Sequence, residues 1–207
     1  MTGAGVVSGL SDVSRETMER LQVFDRLLRK WNRTINLVSA ATVDAAWSRH
    51  FLDSAQIFDI AAKTSGTWLD MGSGAGFPGV IVAILAEELA PDLNVTMIES
   101  DQRKAAFLSA VLRETGTRAT VIAGRIEAAE PQGADVVSAR ALAPLDRLLG
   151  YASRHLTSGG TAIFPKGANH AEEIRRALEF WRFSYEKWQS RTDPASVILT
   201  IGGIARV

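Results

Sequence analysis

The segment Asp70-Met-Gly-Ser-Gly-Ala-Gly-Phe-Pro-Gly79 follows the apolar Thr67-Trp-Leu69 and sets an acid, glycines at alternate positions and a proline in one short run. It reads as the end of a buried strand, a glycine turn and the start of a helix. In such a turn the backbone can approach a nucleotide-like ligand with no Cβ in the way. A second acid, Glu99, ends the apolar Val95-Thr-Met-Ile98, about where a βαβ unit places a carboxylate on ribose hydroxyls. Two features separate this run from a dinucleotide fingerprint. The last glycine of G-x-G-x-x-G, which permits close helix–strand packing, is replaced by Phe77. Asp70 would also repel a pyrophosphate, whereas it would attract an amino group. S-adenosylmethionine carries an α-amino group and a sulfonium charge and no phosphate, so Asp70, Gly72, Gly74 and Glu99 are expected to hold that cofactor. The opposing reading is a glycine turn that binds nothing and a solvated Glu99.

Further residues fall at the same predicted crevice, outside the carboxyl ends of the strands. Ile126 and Glu127 of Gly124-Arg-Ile-Glu127 could flank an adenine, although an exposed helix start explains them equally well. Arg140 closes the strand Asp135–Ser138 and could hold a carboxylate or phosphate bidentately. Lys166, in Pro165-Lys-Gly167, is a substrate or phosphate candidate. His50 reads as a capping or packing residue rather than a base, and nothing favours His155 or His170. The absence of cysteine removes disulfides, thiolate metal sites and the nucleophile that pyrimidine C5 methylation needs. The three histidines have no metal-ligand spacing, so no metal is expected. The Asn/Asp-Pro-Pro-aromatic run common in adenine amino-methylating enzymes is also missing.

Periodicity supplies the supporting elements. Leu21, Phe24, Leu27, Leu28 and Trp31 recur at helical steps, with Arg15, Arg20, Arg26, Arg29 and Lys30 on the other face. Asn32–Asn36 reads as a loop, and Phe51, Leu52, Ala55 and Phe58 mark a second helical region. Strands are expected near 67–71, 95–99, 119–123, 134–138 and 160–164, with helices near 78–90, 102–115 and 144–156. That alternation predicts an α/β fold with a mostly parallel, doubly wound sheet and right-handed crossovers. A helix over Ala171–Phe180 and strands over Trp181–Gln189 and Ser196–Ile201, parted by Asp193-Pro194, add an antiparallel hairpin at the sheet edge. The chain of 207 residues fits one domain, 1–207, with a helical extension over 1–62 and the cofactor-binding core over 63–207. The Gly-rich residues 1–10 are expected to be disordered. Trp31, Trp47, Trp68, Trp181 and Trp188 are expected to anchor packing. Hydrophobic content of 46% and charged content of 22% are ordinary for a soluble protein. Without a membrane-length apolar run or a signal-like start, the expected address is the cytoplasm. The 23 basic and 23 acidic residues argue neither for nor against nucleic acid.

Taken in order, Trp31-Asn32, Ile35-Asn-Leu37, His50-Phe-Leu-Asp-Ser54, the Asp70–Gly79 run, Glu99-Ser100 with Lys104 and Phe107-Leu108, Gly124-Arg125 with Glu127, Ser138-Ala-Arg-Ala141 and Pro165-Lys-Gly167 form one set. This set resembles the small-subunit ribosomal RNA methyltransferase G (RsmG) family, also called glucose-inhibited division protein B. The resemblance implies a Rossmann-like class I S-adenosylmethionine-dependent methyltransferase fold. It implies methyl transfer to N7 of a guanine in 16S rRNA, with S-adenosylhomocysteine as product. It places cofactor contacts at Gly72, Phe77, Ile126, Glu127 and Arg140. Phe77 stands where many members have leucine, and Glu99 where many have aspartate. Guanine N7 has a lone pair and no proton to lose, so catalysis should rest on holding N7 ~3–3.5 Å from the methyl rather than on a base. Asn36 and Lys166 are the candidates for gripping the base or its phosphate. Arg26, Arg29, Lys30, Arg33, Arg49 and Arg125, with Arg140 and Lys166, are the RNA-binding candidates. The expected partner is 16S rRNA or the small ribosomal subunit, met by a monomer away from any membrane. A small-molecule or protein methyltransferase, and a non-catalytic cofactor-binding assembly factor, are the alternatives.

Overall fold

The computed structural model describes residue 10 and residues 12–207. The chain opens with α1 (Arg15–Trp31), whose N-cap Ser14 accepts a hydrogen bond at its hydroxyl from Thr17 N–H. Leu21, Phe24 and Leu28 form its buried stripe, as the spacing predicts. The loop after α1 is braced by Asn32, whose side-chain oxygen accepts from the N–H groups of Leu37 and Val38, each at 3.0 Å. A short α2 (Ala40–Val43), a π-helical turn over Trp47–Phe51 and α3 (Leu52–Ala61) complete the N-terminal layer.

The alternating part follows as β1 (Ser65–Met71), α4 (Gly79–Leu89), β2 (Asp92–Glu99), α5 (Gln102–Thr115), β3 (Thr120–Ala123) and β4 (Ala134–Ser138). Then come α6 (Leu145–His155), β5 (Leu156–Lys166), α7 (His170–Ala177), β6 (Trp181–Gln189) and β7 (Val197–Arg206). The sheet runs β3-β2-β1-β4-β5-β7-β6. Its first five strands are parallel, and β7 lies antiparallel between β5 and β6. The order reverses between β1 and β4, which is where open α/β sheets place their ligand crevice.

Successive residues of a strand face opposite sides, so β1 feeds two cores. Trp68 joins a cluster with Phe24, Phe51, Phe107 and α4, while Leu69 and Met71 join one with Leu148, Phe164 and Leu199. Every residue from Val80 to Ala86 is buried, because α4 lies between the sheet and the N-terminal helices. Phe24 anchors that sandwich, its ring 5.1 Å from both Phe51 and Phe77.

The strand–helix alternation and the edge hairpin match the sequence reading. The lengths of β5 and β7 do not: both extend beyond the apolar residues that marked them. The early part of β5 is exposed over Thr157–Gly159, so it lacks the pattern of a buried strand. The expectation for residues 1–10 lies outside the described residues except at Leu10, which is 3% exposed. Trp68 is a core anchor, but Trp188 is 44% exposed on the outer strand, where its indole N–H donates to the Thr200 hydroxyl at 3.2 Å. Among the described residues, no helix is long and apolar enough to cross a membrane, and no group of three or more His, Cys, Asp or Glu could hold a metal ion.

Candidate active site

The glycine turn after β1 is fixed to β2 by its backbone: the N–H groups of Gly72 and Ser73 donate to Ile98 O at 2.8 and 3.1 Å. Gly72 has φ +65, and a Cβ there would lie 2.5 Å from Leu142 Cδ1, so this glycine admits a neighbouring side chain. Gly74 differs. It has φ +53, and its nearest obstacle to a Cβ is a backbone oxygen 3.8 Å away, so the turn presents bare backbone to open space. Glu99 holds this edge in place, accepting from Gly74 N–H at 2.8 Å and from Asp101 N–H at 2.7 Å.

Asp70 sits beneath the turn and not against the crevice, which corrects the role read from sequence. Its side chain has no exposed surface. Trp68 Nε1–H donates to Ser138 Oγ at 2.9 Å, and the Ser138 hydroxyl donates in turn to Asp70 Oδ1 at 2.7 Å. The Gly79 N–H at the head of α4 donates to Asp70 Oδ2 at 3.2 Å. Burial pushes the Asp70 carboxyl up to about 6, against the opposing pull of these donors. Asp70 therefore ties β1, β4 and α4 together under the loop.

Above the turn lies a cleft of about 670 Å³, lined by Gly72–Ala75, Phe77, Glu99, Ile126, Glu127, Arg140 and Leu142. Lys104, Arg125, Arg147 and Tyr151, none of which the sequence marked as a cofactor contact, also line it. The Glu127 carboxyl is held below its usual range by its own backbone N–H, then by the Tyr151 hydroxyl, which donates to it at 2.8 Å, and by the nearby Arg125 and Arg147. His155 is fully buried beneath, its Nε2 3.1 Å from Ile126 O. A backbone cradle that a side chain at Gly74 would fill, an acid at Glu99 and apolar flanks at Phe77, Ile126 and Leu142 fit an adenosine-bearing sulfonium cofactor.

A second cleft, of about 1040 Å³, adjoins the first. Four cations, Arg49, Arg140, Lys166 and Arg176, line it together with four carboxylates, Asp53, Glu172, Glu173 and Asp193. Arg140 lines both clefts. Its Nη1 is 3.0 Å from His50 Nδ1 and 3.5 Å from Asp53 Oδ2, and its guanidinium stacks 5.1 Å from the Phe77 ring centroid. Lys166 is not free for a phosphate. It is 8% exposed, and its ammonium donates to Glu173 at 2.8 Å and to Ala143 O at 3.1 Å. Asn36 is exposed and lines neither cleft. Of the remaining cations, Arg49 reaches the larger cleft and Arg125 the smaller. Arg29 is paired with Asp25 and Asp44. Arg29, Lys30 and Arg33 line neither cleft.

A family model described as rRNA small subunit methyltransferase G matches residues 17–193. The chain belongs to that family. Ribosomal RNA small subunit methyltransferase G of Ruegeria sp. (strain TM1040) is 56% identical over 196 residues, covering 95% of each chain. The methyltransferase G of Rhodospirillum centenum is 51% identical, covering 93% of this chain and 87% of its own. Among solved structures, an O-methyltransferase from Bacillus cereus in complex with SAH superposes with a TM-score of 0.60 at 14% identity, over 93% of both chains. M. jannaschii TYW2 in complex with AdoMet superposes at 0.56, also at 14% identity, over 84% of this chain and 80% of that one. The chain thus has the class I methyltransferase fold, with an N-terminal helical layer added.

Proposed function

We propose that this chain transfers the methyl group of S-adenosylmethionine to N7 of a guanine in 16S rRNA. The observation that carries the reading is the pair of adjoining clefts at the sheet's reversal point, one floored by bare glycine backbone and the other open and charged. Gly74, Phe77, Glu99, Ile126 and Glu127 hold the cofactor in the smaller cleft, and Asp70 acts only by positioning the turn. Bound there, S-adenosylmethionine supplies an electrophilic methyl group. The larger cleft receives the base. N7 attacks through a lone pair in the ring plane, so no side chain has to remove a proton. The residues instead align the base and screen the charge it gains, a task suited to a cleft whose carboxylates match its cations in number. Arg49 and Arg125, exposed on the two clefts, are the phosphate contacts this reading favours.

The chain is read as a single unit, because Phe24 and Phe51 of the N-terminal layer pack directly on Phe77 of the cofactor turn. It is read as a cytoplasmic monomer acting on 16S rRNA or the small subunit. The test is incubation of the purified protein with labelled S-adenosylmethionine and small ribosomal subunits, followed by nucleoside mapping. Label in 7-methylguanosine at one position is the expected result. Label in another nucleoside, or only in protein, refutes the reading.

A further inference from the structure

The two clefts share a wall made by Thr42, His50, Arg140 and the run Ala141–Ala143. Any group passed from one cleft to the other passes there. Arg140 is already engaged with His50, Asp53 and the Phe77 ring. The Thr42 hydroxyl is engaged with Ser39. His50 is only half engaged. Its Nδ1 faces Arg140 Nη1 at 3.0 Å, and a guanidinium can only donate, so Nδ1 is the acceptor and Nε2 carries the proton. Nε2 is closed off from bulk water and has no hydrogen-bond partner. A buried N–H left in that state costs free energy and calls for an acceptor that the protein does not supply.

We propose that His50 selects the target base, its Nε2–H donating to O6 of a guanine presented in the larger cleft. The inference rests on the methyl-transfer reading above. Along its Hoogsteen edge guanine offers two acceptors, N7 and O6, whereas adenine offers an acceptor and an amino donor. A single N–H donor on the dividing wall therefore welcomes guanine and meets adenine donor to donor. Holding O6 leaves N7, its neighbour on the same edge, free to face the smaller cleft. Phe77 lies 5.1 Å from the His50 ring, whose tautomer Arg140 fixes. Burial and the charges of Arg140 and Arg49 lower its pKa to about 4, so the ring adds no positive charge beside a base that becomes cationic. The contact needs the imidazole to turn slightly toward the larger cleft, a side-chain adjustment common on binding.

The test uses small subunits reconstituted with 16S rRNA that carries guanine or 2,6-diaminopurine at the mapped target. Diaminopurine keeps N7 but puts an amino donor in place of O6. Initial rates of methyl transfer are compared for the natural protein, His50→Phe and His50→Gln, and S-adenosylhomocysteine binding is measured by calorimetry. The natural protein should prefer guanine by about a hundredfold, and His50→Phe should shrink that preference by about tenfold or more. His50→Gln, whose amide still donates, should keep most of the preference, and cofactor binding should change little in either variant. If His50→Phe does not fold, His50→Met serves as the variant without a donor. A preference unchanged in the donorless variant overturns the assignment. So does a loss of cofactor binding as large as the loss of transfer, which places His50 in the smaller cleft alone. A natural protein that methylates neither particle refutes the activity itself, a result distinct from both.

Discussion

Asp70 is a carboxyl without exposed surface, held by Ser138 and Gly79 and pushed by burial to about 6 from a reference of 3.8. Between those two values the folded chain keeps a proton that the unfolded chain has lost. Stability therefore falls as pH rises through that window, and the ionised group costs about 3 kcal/mol at neutral pH. His50 works in the opposite sense. Its folded pKa of about 4 lies below the usual 6.5, so the unfolded chain takes the proton first and stability is lost as pH falls through that interval. In the natural protein the two effects largely offset each other. Asp70→Asn removes one of them. Urea titrations of this variant should show stability dropping steadily on acidification between about pH 6.5 and pH 4. A variant whose stability stays as flat over that range as the natural protein's rules out Asp70 as the group concerned.

At the scale of the elements, the turn after β1 separates packing glycines from a binding glycine. Gly76 has φ +90, and a Cβ there would lie 2.6 Å from Val80 Cγ2, so Gly76→Ala strains both the backbone and the start of α4. Its expected cost is about 3 kcal/mol, read as a fall in melting temperature. Gly74→Ala should cost only about 1–2 kcal/mol. Its methyl group, however, stands in the smaller cleft, so S-adenosylhomocysteine affinity should fall about tenfold by calorimetry. Equal effects of the two substitutions on binding would contradict this division of roles. On the opposite side, Lys166 of β5 and Glu173 of α7 brace the wall between the clefts. Lys166 reaches Ala143 O, and Glu173 also accepts from Leu145 N–H at 2.9 Å. Glu173→Ala leaves a buried ammonium without its counter-charge and should destabilise by about 2–3 kcal/mol, whereas Lys166→Met with Glu173→Leu should recover much of that loss. Chemical denaturation of the single and double variants measures both.

Those braces also mark where sequence reading stops. The strands β1 and β2, the helix α5 and the glycine turn are legible because their patterns are local: apolar runs, an acid at the strand end, glycines two apart. The roles of Asp70 and Lys166 are not legible. Ser138 stands 68 residues from Asp70, and only the pairing of β1 with β4 brings them together. Lys166 looks like a free cation until α7 folds back and supplies Glu173. The half-satisfied state of His50 is invisible for the same reason, since its partner Arg140 lies 90 residues away.

For the molecule as a whole, a net charge of zero makes the placement of its cations decide how it meets RNA. The charges lining the larger cleft, Arg49 among them, are balanced in number, so net long-range attraction falls to exposed cations such as Arg26, Lys30, Arg33 and Arg125, while the exposed Arg49 is the cleft's own candidate for a phosphate contact. Affinity for small subunits should drop steeply with added salt, and Arg49→Glu should both weaken binding and flatten that dependence. Filter binding across a salt series tests this, and a slope unchanged by the substitution would remove Arg49 from the interface.

The tip of the β6–β7 hairpin is fastened to the N-terminal layer. Arg191 N–H donates to Gln56 at 2.9 Å, its guanidinium meets Asp59 at 3.0 Å, and the Thr192 hydroxyl donates to Asp53 at 3.1 Å. The smaller cleft is encoded wholly within residues 37–151, whereas one bank of the larger cleft comes from residues 190–198. If the smaller cleft holds the methyl donor as proposed, every residue of that site emerges during synthesis before the larger cleft can close. On this reading both halves of the reaction are in place only once the hairpin tip has closed on the N-terminal layer.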